Sequence, residues 1–309
     1  MALRRGRAGT AVGGDLTRPG TVVIVGVGLI GGSVGLALRA RGAAGRVVGV
    51  DLDAANLRRA LDLGAIDAAA PGLAEAAADA EVVVVAAPVT ATVPLVREAA
   101  RVGGESLLIT DVGSTKARIV AEVEADPRAR ARFVASHPIA GSERQGAGHA
   151  RADLFGGRVV ALTPTDRTPT DRVERARAFW RSLGATPWEV DPVAHDAHLA
   201  LTSHLPHAVA SALAAVVPPD LFPLAAGAYR DGTRVAGADA ALWAGIFLDN
   251  RRPLLDALAA FEGRAQAFRA ALEAGDPDRL RAWWRLGQGR RTGFGAGAPA
   301  DPDPGPVDH

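Results

Sequence analysis

The chain has 309 residues, 48% hydrophobic and 22% charged, with a formal net charge of +1. That balance suits a globular protein of about two domains and gives no electrostatic reason to expect a nucleic-acid partner. There is no cysteine, which excludes disulfides, thiolate metal sites and cysteine nucleophiles, and the 35 basic residues comprise 34 arginines and a single lysine, Lys116.

Residues 1–20 are basic but have no long apolar stretch, so they are not a secretory signal and are expected to form a disordered arm. No apolar run reaches the roughly 18 residues of a membrane span, so no membrane partner and a cytoplasmic location are expected. A β-branched run, Thr21–Val25, predicts a strand. Gly26, Gly28 and Gly31 follow in G-x-G-x-x-G spacing, enclosing Leu29 and Ile30, and an apolar helical segment runs to about Arg41. A second strand, Val47–Val50, ends in Asp51. Gly26 allows the tight turn, Gly28 lets backbone approach a pyrophosphate, and Gly31 lets helix pack on strand. Asp51 stands where a carboxylate can hold both ribose hydroxyls and repel a 2′-phosphate, which favours NAD over NADP. Arg58 and Arg59 lie near enough in sequence to keep NADP in view.

Residues 53–63 predict a helix, and Glu81–Ala87 a strand buried on both faces. Pro88 ends that strand and can border the nicotinamide side, with Thr90 capping the next helix to about Arg101. Leu107–Val112 is another buried strand, after which Ser114 opens a helix to about Ala125. Phe133–Ser136 is a strand ending in His137-Pro138. Strands at 158–162 and 187–190 flank a helix at about 170–184. This alternation predicts an α/β, doubly wound, mostly parallel sheet over residues 21–190.

From 191 to 287 only helical periodicity is visible. His195–Val217 reads as one long helix, kinked at Pro206, with further helices near 220–230, 238–249, 251–274 and 277–286. Apolar, alanine-rich helices of this kind predict a homodimer through this half. Residues 288–309 have the Gly/Pro content of a disordered tail.

Ligands in open α/β sheets sit beyond the carboxyl ends of the strands. Ser114 and His137 both stand there. A serine before a helix is usually a cap and a lone histidine usually structural, but together beside a cofactor loop they suggest a pair handling a substrate hydroxyl. His204 and His207 share a helix face, yet no cysteine and no H-E-x-x-H motif accompany them, so no metal is expected. Arg234 in Asp231-Gly232-Thr233-Arg234 has the planar fork that suits a carboxylate. Lys116 sits where a helix dipole disfavours a cation, which points to a local structural or electrostatic role.

GVGLIGGS at 26–33, DVGSTK at 111–116, HPIAGSERQG at 137–146, DLF at 153–155, SHLPH at 203–207 and DGTR at 231–234 followed by Trp243 together resemble the prephenate/arogenate dehydrogenases of tyrosine biosynthesis. The resemblance covers roughly residues 21–287. It implies a Rossmann-type domain joined to a C-terminal all-helical dimerisation domain, NAD as cofactor, and oxidative decarboxylation of prephenate to 4-hydroxyphenylpyruvate. By the family pattern His137 accepts the proton of the ring hydroxyl and Ser114 orients it. Arg234 binds a substrate carboxylate, and His207 and His204 line the substrate pocket. Glu143 and Asp231 stand near its entrance with Trp243 close by, and Lys116 is grouped with these substrate-binding residues. Arogenate is the competing substrate. The β-hydroxyacid dehydrogenases, which rely on a lysine in or near the helical domain, fit poorly because no lysine follows Lys116. A non-catalytic NAD sensor is disfavoured by the Ser114, His137 and Arg234 set. The short segment after Leu286 predicts no separate regulatory domain.

Overall fold

The computed structural model describes residues 18–297 apart from Glu143. The expectations for a disordered arm before residue 18 and a tail after residue 297 lie outside the described residues. The chain divides into two units, one ending at Pro192 and one beginning at Val193.

In the first unit a six-stranded sheet has the order β3-β2-β1-β4-β5-β6. Its strands are β1 (Thr21–Val25), β2 (Arg46–Val50), β3 (Ala68–Ala69), β4 (Val82–Val85), β5 (Leu108–Asp111) and β6 (Phe133–Val134). All five pairings are parallel. The apolar strand runs are continuous because both faces are covered. Val22, Ile24, Val82 and Val84 pack with Val34 and Leu38 of α1 (Leu29–Ala40) and Trp180 of α7 (Thr170–Ser182). The alternate residues Val23, Val25, Val83 and Val85 pack against α3 (Leu73–Ala77), α4 (Val89–Val102) and α5 (Ala117–Glu124). Helices α2 (Ala54–Asp62) and α6 (Pro127–Arg130) complete the wrapping.

The single mostly parallel sheet expected over 21–190 is instead two. After β6 the chain enters a three-stranded sheet, β7 (Ser136–Pro138), β8 (Val159–Leu162) and β9 (Thr186–Glu189), in which β7 and β8 are antiparallel. The break has a local cause. β6 pairs with β5 only at Ile109↔Phe133 and Thr110↔Val134. At the next position the Asp111 side chain, not a backbone carbonyl of β5, takes the Ser136 N–H at 2.9 Å.

The second unit is helical. Its long first helix is α8 (Pro192–Leu199), a π-helical turn at Ala200–His204, and α9 (Leu205–Val216). Pro206 therefore produces a widened turn just before it, because a proline cannot donate into the helical ladder. By length and mean hydropathy the 25-residue run Pro192–Val216 could cross a membrane, contrary to the reading of the bare sequence. Its His195, Asp196 and His204 are buried and hydrogen-bonded within the unit. Helices α10 (Gly227–Thr233), α11 (Ala240–Asp249), α12 (Arg251–Glu273) and α13 (Pro277–Gly297) follow. The tail expected to be disordered from 288 instead continues α13 to Gly297. Its glycines, Gly287, Gly289 and Gly293, alternate with residues such as Gln288, Arg290 and Arg291 that extend a helix already nucleated upstream.

Candidate functional site

In the first unit the candidates lie along the carboxyl rim of the six-stranded sheet. Gly26 leaves β1 with a φ of +89°, a conformation that glycine adopts without strain. A Cβ on Gly31 would stand 1.9 Å from the Gly26 carbonyl oxygen, so only glycine lets α1 start this close to β1. A Cβ on Gly28 would meet nothing within 4 Å, so the loop is open on that side. Gly28 is the N-cap of α1 and offers no side-chain cap, and the first turn, which contains Leu29, Ile30 and Gly31, carries no acid. The free N–H groups of that turn fit a pyrophosphate.

Asp51 follows β2. Its carboxylate accepts N–H bonds from Val27 and Asp53, each at 2.8 Å, which ties the second strand end to the glycine loop. Each carboxylate oxygen keeps a further lone pair for a ribose hydroxyl. Pro88 is exposed and is itself the N-cap residue of α4, so Thr90 lies inside the helix instead of capping it. Arg58 and Arg59 are exposed on α2.

Ser114 does not open a helix. α5 begins at Ala117, with Lys116 at the cap position, and Ser114 lies half-buried in the loop before it. His137, half-buried, is the middle residue of β7. What seats these two segments is a cluster that the sequence did not reveal. Asp111, Lys116, Thr110 and Ser136 are all fully buried. Asp111 accepts from the backbone N–H of Gly113 at 3.0 Å and forms an ion pair with the Lys116 ammonium. Lys116 also donates to the Ser136 carbonyl at 2.9 Å, and the Ser136 and Thr110 hydroxyls share a 2.8 Å bond. The Lys116 ammonium, grouped above with the substrate-binding residues, is buried here against Asp111 and the Ser136 carbonyl.

The second unit assembles its own group. His207 stacks on Trp243 of α11, with ring centroids 3.7 Å apart and 24° between planes. His204 meets the same indole edge-on at 6.0 Å. His207 Nδ1–H donates to the Ser203 carbonyl at 2.8 Å, which leaves Nε2 free to accept. Burial lowers the His207 pKa, and the Arg234 charge lowers it further, against the opposing effect of the Ser203 bond. Asp231 and Arg234 are exposed, near the end of α10 and in the turn after it, respectively. His204 is fully buried, and burial pushes its pKa down to about 4. Its Nδ1 receives a 2.9 Å bond from the Asn250 amide, so the proton sits on Nε2, which has no partner among the described residues. Asn250 and Asp196 escaped the sequence reading, because nothing local marks an asparagine at the foot of α12 as a partner of His204. Glu143 lies outside the described residues. Among those residues no group of three or more His, Cys, Asp or Glu is arranged to hold a metal ion.

Comparison with known proteins bears on both units. Residues 34–188 match the family model for the prephenate dehydrogenase nucleotide-binding domain, and residues 191–286 match the prephenate dehydrogenase dimerization domain. The prephenate dehydrogenase of Bacillus subtilis is 34% identical over 281 residues, covering 89% of this chain and 76% of that protein. The structure of prephenate dehydrogenase from A. aeolicus in complex with hydroxyphenyl propionate and NAD+ is 30% identical. It superposes with a TM-score of 0.83 over 89% of this chain and 98% of that one. Synechocystis arogenate dehydrogenase is 26% identical with a TM-score of 0.72, over 89% of this chain and 99% of that one.

Proposed function

Since the chain belongs to the prephenate dehydrogenase family, we propose that it converts prephenate to 4-hydroxyphenylpyruvate and carbon dioxide with reduction of NAD. It is an NAD-dependent dehydrogenase. NAD, when bound, supplies the carbon that accepts hydride. Gly26, Gly28, Leu29, Ile30 and Gly31 hold its pyrophosphate against the start of α1, Asp51 takes the ribose hydroxyls, and Pro88 borders the nicotinamide side. His137 accepts the proton of the ring hydroxyl and Ser114 orients that hydroxyl. Loss of the ring carboxylate aromatises the ring, which supplies the driving force. The protein therefore needs only to align its substrate and take one proton. Arg234 binds a substrate carboxylate through its planar fork. His207 and Trp243 provide an aromatic and hydrogen-bonding wall, against which His204 packs edge-on from a buried position, and Asp231 and Glu143 keep the entrance role that the resemblance implies.

The observation that supports this reading is the bond from Ser136 N–H to Asp111, which joins the chain after β6, before His137, to the carboxyl end of β5, before Ser114. Arogenate shares the ring hydroxyl and ring carboxylate, so His137, Ser114 and Arg234 serve it equally well, and the likeness to Synechocystis arogenate dehydrogenase keeps it as the second reading. The test is reduced-cofactor formation with each substrate and with NAD or NADP. The highest kcat/KM is expected for prephenate with NAD. A higher value on arogenate, or with NADP, replaces the corresponding half of the proposal. We further propose that the second unit forms a homodimer, supported by its match to a dimerization domain and by the exposed Leu248, Leu255, Leu272 and Trp284. Light scattering at micromolar concentration should return twice the chain mass.

A further inference from the structure

We infer that Lys116 is a positioning residue: through Asp111 and Ser136 it sets the backbone of His137 relative to that of Ser114. The inference rests on the roles given to those two residues above.

The ion pair is fully buried on both sides. Ser136 is gripped at three atoms. Its N–H donates to Asp111 Oδ1 at 2.9 Å, its hydroxyl is hydrogen-bonded to the Asp111 carbonyl, and its carbonyl accepts from Lys116 at 2.9 Å. That carbonyl belongs to the peptide bond that leads into His137. On the other side, the Gly113 N–H donates to Asp111 Oδ2 at 3.0 Å, and the following residue is Ser114. One lysine and one aspartate thus hold the backbone just before each proposed catalytic residue. The fit is tight. A Cβ on Gly113 would stand 2.9 Å from Asp111 Oδ2 and 3.3 Å from the Lys116 ammonium.

A buried ion pair of this kind is a poor source of stability, because both charges lose their hydration and apolar residues of similar volume often serve as well. Its value lies in geometry. Here it takes the place of the β5–β6 ladder where the chain changes sheet, so this pair seats the start of β7 against β5, while β7 also pairs with β8. Arginine has a planar, larger fork with a different donor pattern from a compact ammonium, so it is not expected to restore this geometry. In a chain with 34 arginines, the one lysine stands at this position.

The test is the double variant Lys116→Met/Asp111→Asn, which removes both charges together, with Lys116→Arg as a second variant that keeps the charge. The readouts are Tm, NAD affinity by fluorescence, kcat and KM on prephenate, and the 1H–13C resonance of the His137 ring assigned through His137→Asn. Each folded variant is expected to bind NAD within about 3-fold of the parent and to show a shifted His137 resonance. Its kcat should fall at least 10-fold, as expected when reacting groups are misplaced by a fraction of an ångström to an ångström. Wild-type kcat and an unmoved His137 resonance in a folded Lys116→Arg or double variant overturn the inference. The resonance keeps the test separate from the proposed activity. If the parent protein turned over neither substrate, a moved resonance would still support the positioning role and an unmoved one would still remove it.

Discussion

The side-chain amide of Asn250 spends both its hydrogens on two neighbours, donating to His204 Nδ1 at 2.9 Å and to the Asp196 carbonyl at 2.8 Å. An amide nitrogen can only donate, so this contact makes Nδ1 of His204 an acceptor and leaves its proton on Nε2. The imidazole is also neutral, because burial disfavours the charged ring and pushes its pKa down to about 4.

Stability should therefore depend on pH through His204. The unfolded chain takes up a proton near pH 6.5, whereas the folded one resists until about pH 4. The contribution is present in full above pH 6.5 and is lost as the pH falls through that window, at most about 3 kcal/mol in all. His207, shifted in the same direction, adds to the same loss. Urea unfolding at pH 7, 5.5 and 4 measures it. In His204→Gln, whose amide oxygen can take the Asn250 bond, the slope over this range should flatten. An unchanged slope would remove His204 from the account.

His137→Asn should lower kcat by about 10²–10⁴-fold, the usual worth of one general base. NAD affinity should stay at the parent value, because the glycine loop and Asp51 are untouched. Steady-state kinetics with a fluorescence titration of NAD decide it, and a full kcat in this variant would mean that another group takes the proton.

Arg234→Gln should mainly raise KM, by about 10- to 100-fold, which corresponds to the loss of a charge-assisted bond of about 1.5–3 kcal/mol. Arg234→Lys should recover only part of this, since an ammonium cannot reproduce a bidentate fork. A large fall in kcat at unchanged KM would place Arg234 in the chemical step instead.

Asp51→Asn should raise the NADP:NAD ratio of kcat/KM by about 10-fold or more, because a carboxylate that repels a 2′-phosphate becomes a neutral amide. The amide oxygen can still take one of the N–H groups of Val27 and Asp53 that the carboxylate now holds, so a modest loss of Tm should accompany the change. If the ratio does not move, Arg58 and Arg59 or another feature sets the preference.

The glycine loop was legible because its chemistry is local. A strand, three glycines at fixed spacing, a helix and an acid at the next strand end lie within one stretch, and the structure adds to it only the bonds from Val27 and Asp53 to Asp51. The main alternation of strands and helices up to β6 was legible for a similar reason, since Val82–Val85 and Leu108–Asp111 are apolar enough to be buried on both faces, but the short β3, α3 and α6 left no mark in the sequence. Ser114 and His137 could be picked out as strand-end residues, and Lys116 as an anomaly. By itself, then, the sequence determined the class of fold, the dinucleotide loop and the identity of the residues worth testing.

Tertiary structure decided the rest. The step from one sheet to the next at Ala135 depends on Asp111 capturing the N–H of a residue 25 positions away. The protonation of His204 depends on Asn250, 46 positions away. Lys116 is a third case: its isolation among arginines is visible in the sequence, but its burial against Asp111 and Ser136 is not. Buried polar groups must find partners wherever the fold brings them, and which partner is close enough is a property of packing that no spacing along the chain encodes.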